Sequence, residues 1–129
     1  MKFLLDTHIF LWFIGGNPKL SVLLRQLIED PNNEKFLSIA SLWEMSIKAG
    51  IGRLRLDLTF PEIVRNHVDA NAIELLPVRP EHLDIVRSLP FYHKDPFDRL
   101  IIAQSYSENI PVLSQDKVFD DYAGIRRIE

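Results

Sequence analysis

The 129-residue sequence predicts a three-layer α/β/α fold with a mostly parallel central sheet. Short apolar runs alternate along the chain with segments whose apolar residues recur at helical spacing. Strands and helices that alternate in this way form parallel sheets covered by helices on both faces. The length fits a single domain over residues 1–129, and no linker, internal repeat or low-complexity segment divides it.

The composition narrows the class of protein. Apolar residues make up 47% and charged residues 26%, which is ordinary for a soluble globular chain with a net charge of −3. No apolar run approaches the roughly 20 residues that span a bilayer. The absence of cysteine excludes disulfides and thiolate metal sites, and the four histidines lack zinc-binding spacing. We therefore expect a cytoplasmic protein without a membrane segment, in which any metal has oxygen or imidazole ligands.

Apolar runs bounded by turn residues indicate five strands and six helices. We predict strands at residues 2–5, 35–39, 72–78, 111–113 and 125–128. We predict helices at about residues 9–14, 17–29, 41–49, 59–68, 81–89 and 96–107. The first of these helices is apolar on every side. We favour a helix there because a strand would follow the preceding strand with no turn signal between them.

Capping residues predict where three of the helices begin. Ser41 and Glu44 have the spacing of a capping box, and Thr59 precedes a proline at a helix start. Asp95 stands directly before Pro96 and three residues before Asp98. Asp95 is thus predicted to be an N-cap, with Asp98 in the first helical turn near the positive end of the helix dipole.

Four acidic residues are predicted to face one edge of the sheet. Asp6 and Asp116 follow strands directly, Glu44 begins the helix after the second strand, and Asp98 joins them through its helix start. Ligands of open α/β sheets bind outside the carboxyl ends of the strands. Each acid has a simpler explanation as a cap, dipole partner or turn residue.

If these four acids lie close together, the repulsion between their carboxylates must be offset. Each pair of carboxylates at about 4 Å repels by roughly 1 to 4 kcal/mol, depending on the local dielectric. Bound cations or strongly raised pKa values remove that cost. Oxygen ligands without sulfur suit Mg²⁺ or Mn²⁺.

Around these acids the chain resembles the PIN-domain ribonucleases, specifically the VapC-type toxins of bacterial toxin–antitoxin pairs. The matching segments are FLLDTH at residues 3–8 with the following Leu-Trp pair, SLWEMSIK at 41–48, HKDPFDRLIIAQ at 93–104 and LSQD at 113–116. Matched residue by residue, the resemblance implies an acidic quartet of Asp6, Glu44, Asp98 and Asp116, with site hydroxyls at Thr7 and Ser114. Serine at 114 departs from the more common threonine but keeps the hydroxyl. Asp95 belongs to a subset of the family, so its role as ligand or as cap stays open.

The resemblance implies a Mg²⁺- or Mn²⁺-dependent endoribonuclease that hydrolyses RNA phosphodiester bonds with a metal-activated water. Asp6, Glu44 and Asp98 would be the primary ligands, and Asp116 would act directly or through water. The family also implies a homodimer that an antitoxin peptide inhibits by lying across a groove. Residues 11–14 carry more apolar side chains than one short helix buries, so some of them line such a groove or are covered by neighbouring helices.

Basic residues near the predicted site are candidates for steering the RNA backbone. They are Lys48, Arg53, Arg55, His93, Lys94 and Arg99. The alternative for each is a solvated surface position, and Arg99 could instead pair with one of the acids. We expect Trp43 to lie in the core.

Two alternatives to the nuclease are open. One is a non-catalytic PIN-like domain that binds RNA or a partner, which the intact acidic set opposes. The other is a phosphatase with Asp6 as nucleophile, which is opposed because His8 stands where such enzymes carry a second acid.

Overall fold

A five-stranded sheet, in which every pairing is parallel, forms the centre of the structure, a computed structural model that describes residues 1–129. The strands are β1 (Lys2–Leu5), β2 (Glu34–Ser38), β3 (Ile73–Leu76), β4 (Val112–Leu113) and β5 (Arg127–Ile128). They lie in the order β3-β2-β1-β4-β5, so the chain adds strands first on one side of β1 and then on the other. The predicted parallel α/β architecture is confirmed.

Six α-helices connect and cover these strands. They are α1 (Thr7–Ile14), α2 (Val22–Glu29), α3 (Ile39–Gly50), α4 (Phe60–Ile63), α5 (Pro80–Ser88) and α6 (Pro96–Glu108). A π-helical turn at Val64–Val68 and a 3₁₀ turn at Asp69–Asn71 continue α4, and a second 3₁₀ turn lies at Lys117–Asp121. The predicted order of strands and helices is confirmed, with differences in the bounds. None of the helices is long and apolar enough to cross a membrane.

The start of α3 differs from the prediction. Ser38, the last residue of β2, is the N-cap, and its Oγ accepts a hydrogen bond from the Ala40 amide at 3.0 Å. The predicted capping box at Ser41 and Glu44 is therefore wrong, because the helix begins directly at the strand end and an earlier serine satisfies its first amides. Ser41 is buried within α3, and the Glu44 carboxylate is left for other contacts.

The sheet separates two apolar cores, as expected for three layers. Side chains alternate along β1, so Phe3 and Leu5 face one core while Leu4 faces the other. The first core includes Leu24 of α2, and the second includes Ile101 of α6. This packing fixes the positions of the helix and strand ends that carry the acidic residues.

One face of α3 is apolar and exposed. Four residues at four-residue spacing contribute to it: Ile39, Trp43 and Ile47 of the helix, and Ile51, its C-cap. The prediction that Trp43 lies in the core is wrong, since 57% of this residue is exposed. The opposite face of α3, which includes Glu44 and Met45, packs into the protein instead. We call the exposed set the α3 stripe.

Candidate active site

The candidate site lies where the strand order reverses. β1 and β4 are adjacent, and the Asp6 amide donates a hydrogen bond to the Leu113 carbonyl at 3.0 Å. The connections that leave these two strands diverge, which opens the crevice where α/β sheets bind ligands. Asp6 stands at the carboxyl end of β1, and Ser114 stands at the same end of β4.

Asp6 is a buried acid held by a hydroxyl. Ser114 Oγ donates to Asp6 Oδ2 at 2.8 Å and accepts from the Asp116 amide at 3.0 Å. Burial raises the pKa of Asp6, and the negative charge of Glu44 adds to this, whereas the Ser114 hydrogen bond and the nearby His8 lower it. Asp6 and Glu44 are thus close enough to repel each other when both are ionised.

Glu44 reaches the site from the second turn of α3. Its Oε2 accepts a hydrogen bond from Lys48 Nζ at 2.6 Å, one helical turn further along. Its Oε1 is buried without any hydrogen-bond partner. A buried acceptor left unpaired costs about 1–3 kcal/mol, and more when charged, so this oxygen is available to a group that binds at the site.

Lys48 connects Glu44 with the acids at the start of α6. The hydrogen bond that Lys48 donates to Glu44 raises the pKa of Lys48, and the charges of Glu44, Asp95 and Asp98 raise it further against partial burial. The ammonium group therefore faces three carboxylates. Its position four residues after Glu44 on α3 explains the contact, since side chains at that spacing share a helix face.

Asp95 and Asp98 have different roles at the start of α6. Asp95 is the N-cap, and its Oδ1 accepts hydrogen bonds from the amides of Phe97 at 2.9 Å and Asp98 at 3.0 Å. The predicted cap is confirmed. Because Asp95 satisfies these amides, the Asp98 carboxylate is free for the site, where its Oδ2 lies 2.6 Å from His93 Nε2.

The surroundings of Asp98 favour its protonated form. Burial raises the pKa of Asp98 to about 6, and the charges of Asp6 and Asp95 act in the same direction. The hydrogen bond with His93 opposes this rise. Asp6, Glu44 and Asp98, which come from three separate segments, therefore meet in one electrostatically coupled cluster.

Thr7 and Asp116 have different places around this cluster. Thr7 is buried and donates from Oγ1 to Ser41 Oγ at 2.9 Å, which joins α1 to α3. Asp116 is exposed, and its Oδ1 accepts from the Val118 amide at 3.0 Å as the N-cap of the following 3₁₀ turn. Asp116 and Asp6 both line a cavity of 250 Å³. The structure thus brings Asp116 to the same cavity while its carboxylate caps backbone.

The acids supply the donor set for a divalent cation without forming a complete ligand cage. No three acidic or histidine side chains are positioned to hold one ion together. Lys48 and His93 instead contact one oxygen each of Glu44 and Asp98. The chemistry fits Mg²⁺ or Mn²⁺, because the donors are oxygens, their charges repel, and Glu44 Oε1 lacks a partner.

Arg99 faces away from the acids. Its guanidinium donates to the carbonyl oxygens of Pro90, His93, Val86 and Leu89 at 2.9–3.3 Å. The side chain is buried and its donors are taken by these carbonyls, so it pairs with no acid and is not exposed to an RNA backbone, and both expectations for Arg99 are corrected. Successive residues of a helix are turned by about 100°, which directs Arg99 under the α5–α6 connection while Asp98 faces the site.

Sequence reasoning missed the acid partners of two basic residues. Lys48 and His93 were candidates for the RNA backbone, but the structure places them on Glu44 and Asp98. The four-residue spacing of Glu44 and Lys48 was a usable signal for the first contact. No local pattern predicts the second, because it depends on how the loop before α6 turns.

A groove of 540 Å³ lies beside the acidic cluster, between α1 and the connection that follows α3. Half-buried Leu11, Trp12 and Ile14 line one part of it. Arg53 and Arg55, two of the predicted RNA-steering residues, lie along it with Lys48. The apolar excess of α1 therefore faces a groove rather than the core alone.

The family of the chain follows from its match over nearly its whole length. Residues 3–125 match the family model described as PIN domain. The chain belongs to the PIN domain family. The resemblance stated from the motifs is thereby confirmed at the family level. No curated protein matches this PIN domain at a significant level.

Solved structures share the fold of this PIN domain over almost the full length of both chains. VapBC2 from Rickettsia felis, bound to a DNA fragment from its promoter, has a TM-score of 0.70 and 18% identity, covering 99% of this chain and 98% of that chain. VapBC-1 from nontypeable Haemophilus influenzae has a TM-score of 0.67 and 17% identity, covering 100% and 98%. FitAcB from Neisseria gonorrhoeae has a TM-score of 0.66 and 17% identity, covering 100% and 97%. At these identities the likeness shows a common fold.

Proposed function

We propose that this PIN domain is a Mg²⁺- or Mn²⁺-dependent endoribonuclease, acting in the cytoplasm as the toxin of a toxin–antitoxin pair. The observation that carries the proposal is Glu44 Oε1, a buried oxygen without a hydrogen-bond partner, on a carboxylate whose charge acts on Asp6, which in turn acts on Asp98. A fold retains such a costly arrangement of buried acids chiefly where function uses it. PIN domains are generally nucleases, which supports the same reaction class.

The positions of the acids support the roles that we propose for them. A divalent cation, when bound, supplies Lewis-acid stabilisation of phosphate oxygens and lowers the pKa of a bound water. Asp6, Glu44 and Asp98 would hold it, with Asp116 acting directly or through water. Ser114 fixes the rotamer of Asp6 through the 2.8 Å hydrogen bond. Thr7 and Ser41 keep α1 and α3 in register, so that Glu44 stays next to Asp6.

The start of α6 and Lys48 provide positive potential for a phosphate. The N-terminus of this 13-residue helix lies at the site, where its backbone dipole adds positive potential and Asp95 already caps the amides of Phe97 and Asp98. Lys48 neutralises Glu44 before a cation binds. If Glu44 held a cation instead, the Lys48 ammonium would be free to contact the RNA backbone, which is the role the sequence suggested for it.

The proposed protein partner is a cognate antitoxin. The solved structures with the same fold are described as VapBC and FitAcB assemblies. In this chain the 540 Å³ groove joins apolar walls from α1 and Leu54 with the cations Lys48, Arg53 and Arg55. An amphipathic segment with acidic side chains matches this surface, in the manner of a helix that lays its apolar face into a groove.

The second proposed assembly is a homodimer formed through the α3 stripe. Its four apolar residues face solvent at a spacing that aligns them on one side of a helix. A two-fold contact places the same patch of both subunits together, so one self-complementary stripe is sufficient. Trp43 extends the patch toward α6, where its ring meets Phe97 edge to face with centroids 5.0 Å apart.

Cleavage of RNA tests the nuclease directly. Purified protein should cut RNA with Mg²⁺ or Mn²⁺ and stop when EDTA is added. Asp6→Asn and Asp98→Asn should each lower the rate by about 100-fold or more, because each removes a carboxylate that would hold the metal ion, and the metal ion would stabilise charge at the reacting phosphate. Asp84→Asn, at an exposed acid of α5 that faces only Arg87, is the matched control and should cut normally. Equal activity in the Asp6 variant would contradict the proposal.

A non-catalytic binding domain is the second candidate function. The observation that favours it is that Lys48 and His93 already contact one oxygen each of Glu44 and Asp98, and no complete metal cage is formed. Calorimetric titration with Mn²⁺ separates the two functions. A folded protein that binds RNA but takes up no Mn²⁺ would support the binding domain and contradict the nuclease.

A further inference from the structure

Two large aromatic side chains face solvent in the connection between α5 and α6. Phe91 is 77% exposed and Tyr92 is 61% exposed. They belong to residues 90–94, which we call the aromatic loop. The next residue, His93, contacts Asp98 of the acidic cluster at 2.6 Å. The exposed rings are therefore attached directly beside the candidate active site.

The rest of the protein holds these two rings in place. The Arg99 guanidinium lies over the Phe91 ring, 4.1 Å from its centroid, in a cation–π contact. The Tyr92 ring meets the Tyr122 ring edge to face with centroids 5.3 Å apart. Each ring is thus supported on one side by the protein and open on the other.

The backbone of the aromatic loop is fixed by the same two supporting residues. Tyr122 Oη donates to the Pro90 carbonyl at 3.0 Å and accepts from the His93 amide at 3.2 Å. Arg99 donates to the carbonyls of Pro90 and His93. An exposed loop held by these hydrogen bonds to the rest of the protein is pre-organised, which lowers the entropic cost of binding a ligand.

The charge next to the rings favours an anionic ligand. Lys94 is exposed and forms no ion pair, so its ammonium group is available to an anionic ligand beside the rings. Proteins that bind single-stranded nucleic acid combine cations along the backbone with aromatic rings on which bases stack. A base in a duplex has no free face, so such rings select unpaired nucleotides.

We propose that the aromatic loop is a stacking platform for the unpaired bases next to the phosphate that is cut, with Phe91 and Tyr92 each taking a base. This inference rests on the proposed nuclease function and specifies its substrate as single-stranded or looped RNA. The platform is separate from the α3 stripe and shares no residue with the 540 Å³ groove. Arg99 and Tyr122 are its positioning residues.

Binding of a labelled RNA in EDTA tests the platform without cleavage. The probes are a single-stranded RNA of about 12 nucleotides, within the site sizes of single-strand binders, and an abasic strand of the same length and charge. Fluorescence anisotropy should show RNA affinity reduced roughly 5- to 150-fold in Phe91→Ala and in Tyr92→Ala, the range for loss of one stacked base. Phe91→Trp should bind at least as tightly as the unaltered protein, because it keeps an aromatic face.

Two controls distinguish stacking from general effects. Leu83→Ala removes another exposed apolar side chain, on α5, and should leave RNA affinity unchanged. The abasic strand should bind weakly and equally to the unaltered protein and to both alanine variants. Unchanged RNA affinity in Phe91→Ala and Tyr92→Ala would overturn the platform, as would equal affinity for the abasic strand. A change in oligomeric state or antitoxin binding alone would also overturn it and assign the loop to a protein interface.

Parallel cleavage assays with Mn²⁺ separate the platform from the nuclease. RNA binding that depends on Phe91, in a protein that does not cut, would support the platform and contradict the nuclease. Cleavage with the same KM in Phe91→Ala as in the unaltered protein would support the nuclease and overturn the platform.

Discussion

Lys48 Nζ lies 2.6 Å from Glu44 Oε2, while the other oxygen of that carboxylate is buried without a hydrogen-bond partner. The lysine therefore supplies the positive charge that makes a buried glutamate tolerable when no metal ion is bound. It also sits on an oxygen that a metal ion would use. Lys48 and a divalent cation are expected to compete for Glu44.

Replacing Lys48 tests this competition. Lys48→Met should lower the free energy of unfolding by about 1–2 kcal/mol in EDTA, less than for a fully buried pair because the lysine is 37% exposed. Added Mn²⁺ should raise the melting temperature of Lys48→Met more than that of the unaltered protein, since the oxygen is already vacant. Lys94→Met, at an exposed lysine without an acidic partner, should show neither effect. Equal stability and an equal response to Mn²⁺ in both proteins would contradict the competition.

The raised pKa of Asp98 predicts how stability varies with pH. The folded pKa of about 6 exceeds the reference value of 3.8, so the native state binds more protons between these values. The free energy of unfolding should therefore fall by about 2–3 kcal/mol from this group as pH rises through that window in EDTA. Above it, the ionised buried acid destabilises the native state.

Asp98→Asn removes that dependence and is expected to be the more stable protein at neutral pH without metal. The gain should be about 1–2 kcal/mol at pH near 7.5 and should vanish near pH 4, where Asp98 is neutral in the native state. Urea unfolding at a series of pH values measures the gain in stability at about pH 7.5 and its loss at about pH 4. Mn²⁺ should reverse the order at neutral pH, because only the carboxylate binds it. A variant less stable than the unaltered protein at every pH would refute the assigned pKa.

Ser114 is predicted to act on the reaction through Asp6. Ser114→Ala removes the donor to Asp6 Oδ2, so the pKa of Asp6 should rise further and the protein should lose about 1–3 kcal/mol at neutral pH. Ser105→Ala is the matched control, because that buried hydroxyl donates to the Ile110 carbonyl at 2.6 Å. Both variants should be destabilised in thermal melts, but only Ser114→Ala should cut RNA more slowly. A similar loss of activity in both would assign Ser114 a purely structural role.

Arg99 is predicted to hold the aromatic loop. Arg99→Lys replaces a guanidinium group that donates to four carbonyl oxygens with a single ammonium group. The substitution should lower the free energy of unfolding by about 2–4 kcal/mol. Hydrogen exchange of the His93 amide should speed up, since its bond to Tyr122 depends on the loop position. Arg87→Lys, at an exposed arginine of α5, should leave stability and exchange unchanged. Unaltered exchange in Arg99→Lys would show that Tyr122 suffices.

The proposed dimer contact through the α3 stripe predicts that a charged residue in the stripe prevents dimerisation. Trp43→Arg should convert a dimer to a monomer in light scattering after gel filtration, because it places like charges opposite each other across a two-fold contact. Val22→Arg, at a residue of α2 that is 73% exposed, should remain dimeric. A monomeric unaltered protein at high concentration would contradict the proposed dimer.

Local patterns were sufficient to predict much of this protein. The alternation of apolar runs and helical periodicity predicted the parallel sheet, since each strand and helix shows its own period over a few residues. Asp95 was predicted as a cap because its contacts with the next amides lie within three residues. Asp6 was predicted to lie at the site because it follows the first strand. In a parallel sheet the carboxyl ends of all strands lie on the same side, where ligands bind.

Only the tertiary structure determined which side chains contact one another in the site. Ser114 reaches Asp6 across 108 residues, and His93 reaches Asp98 only because the aromatic loop folds back over α6. Ser38, at the end of β2, caps α3 in place of the predicted Ser41, so the Glu44 side chain is available to the site. The exposure of Trp43 and the burial of Arg99 likewise depend on which helix faces are covered. These contacts join segments that are distant in the chain, so packing between elements, rather than local propensity, determines them.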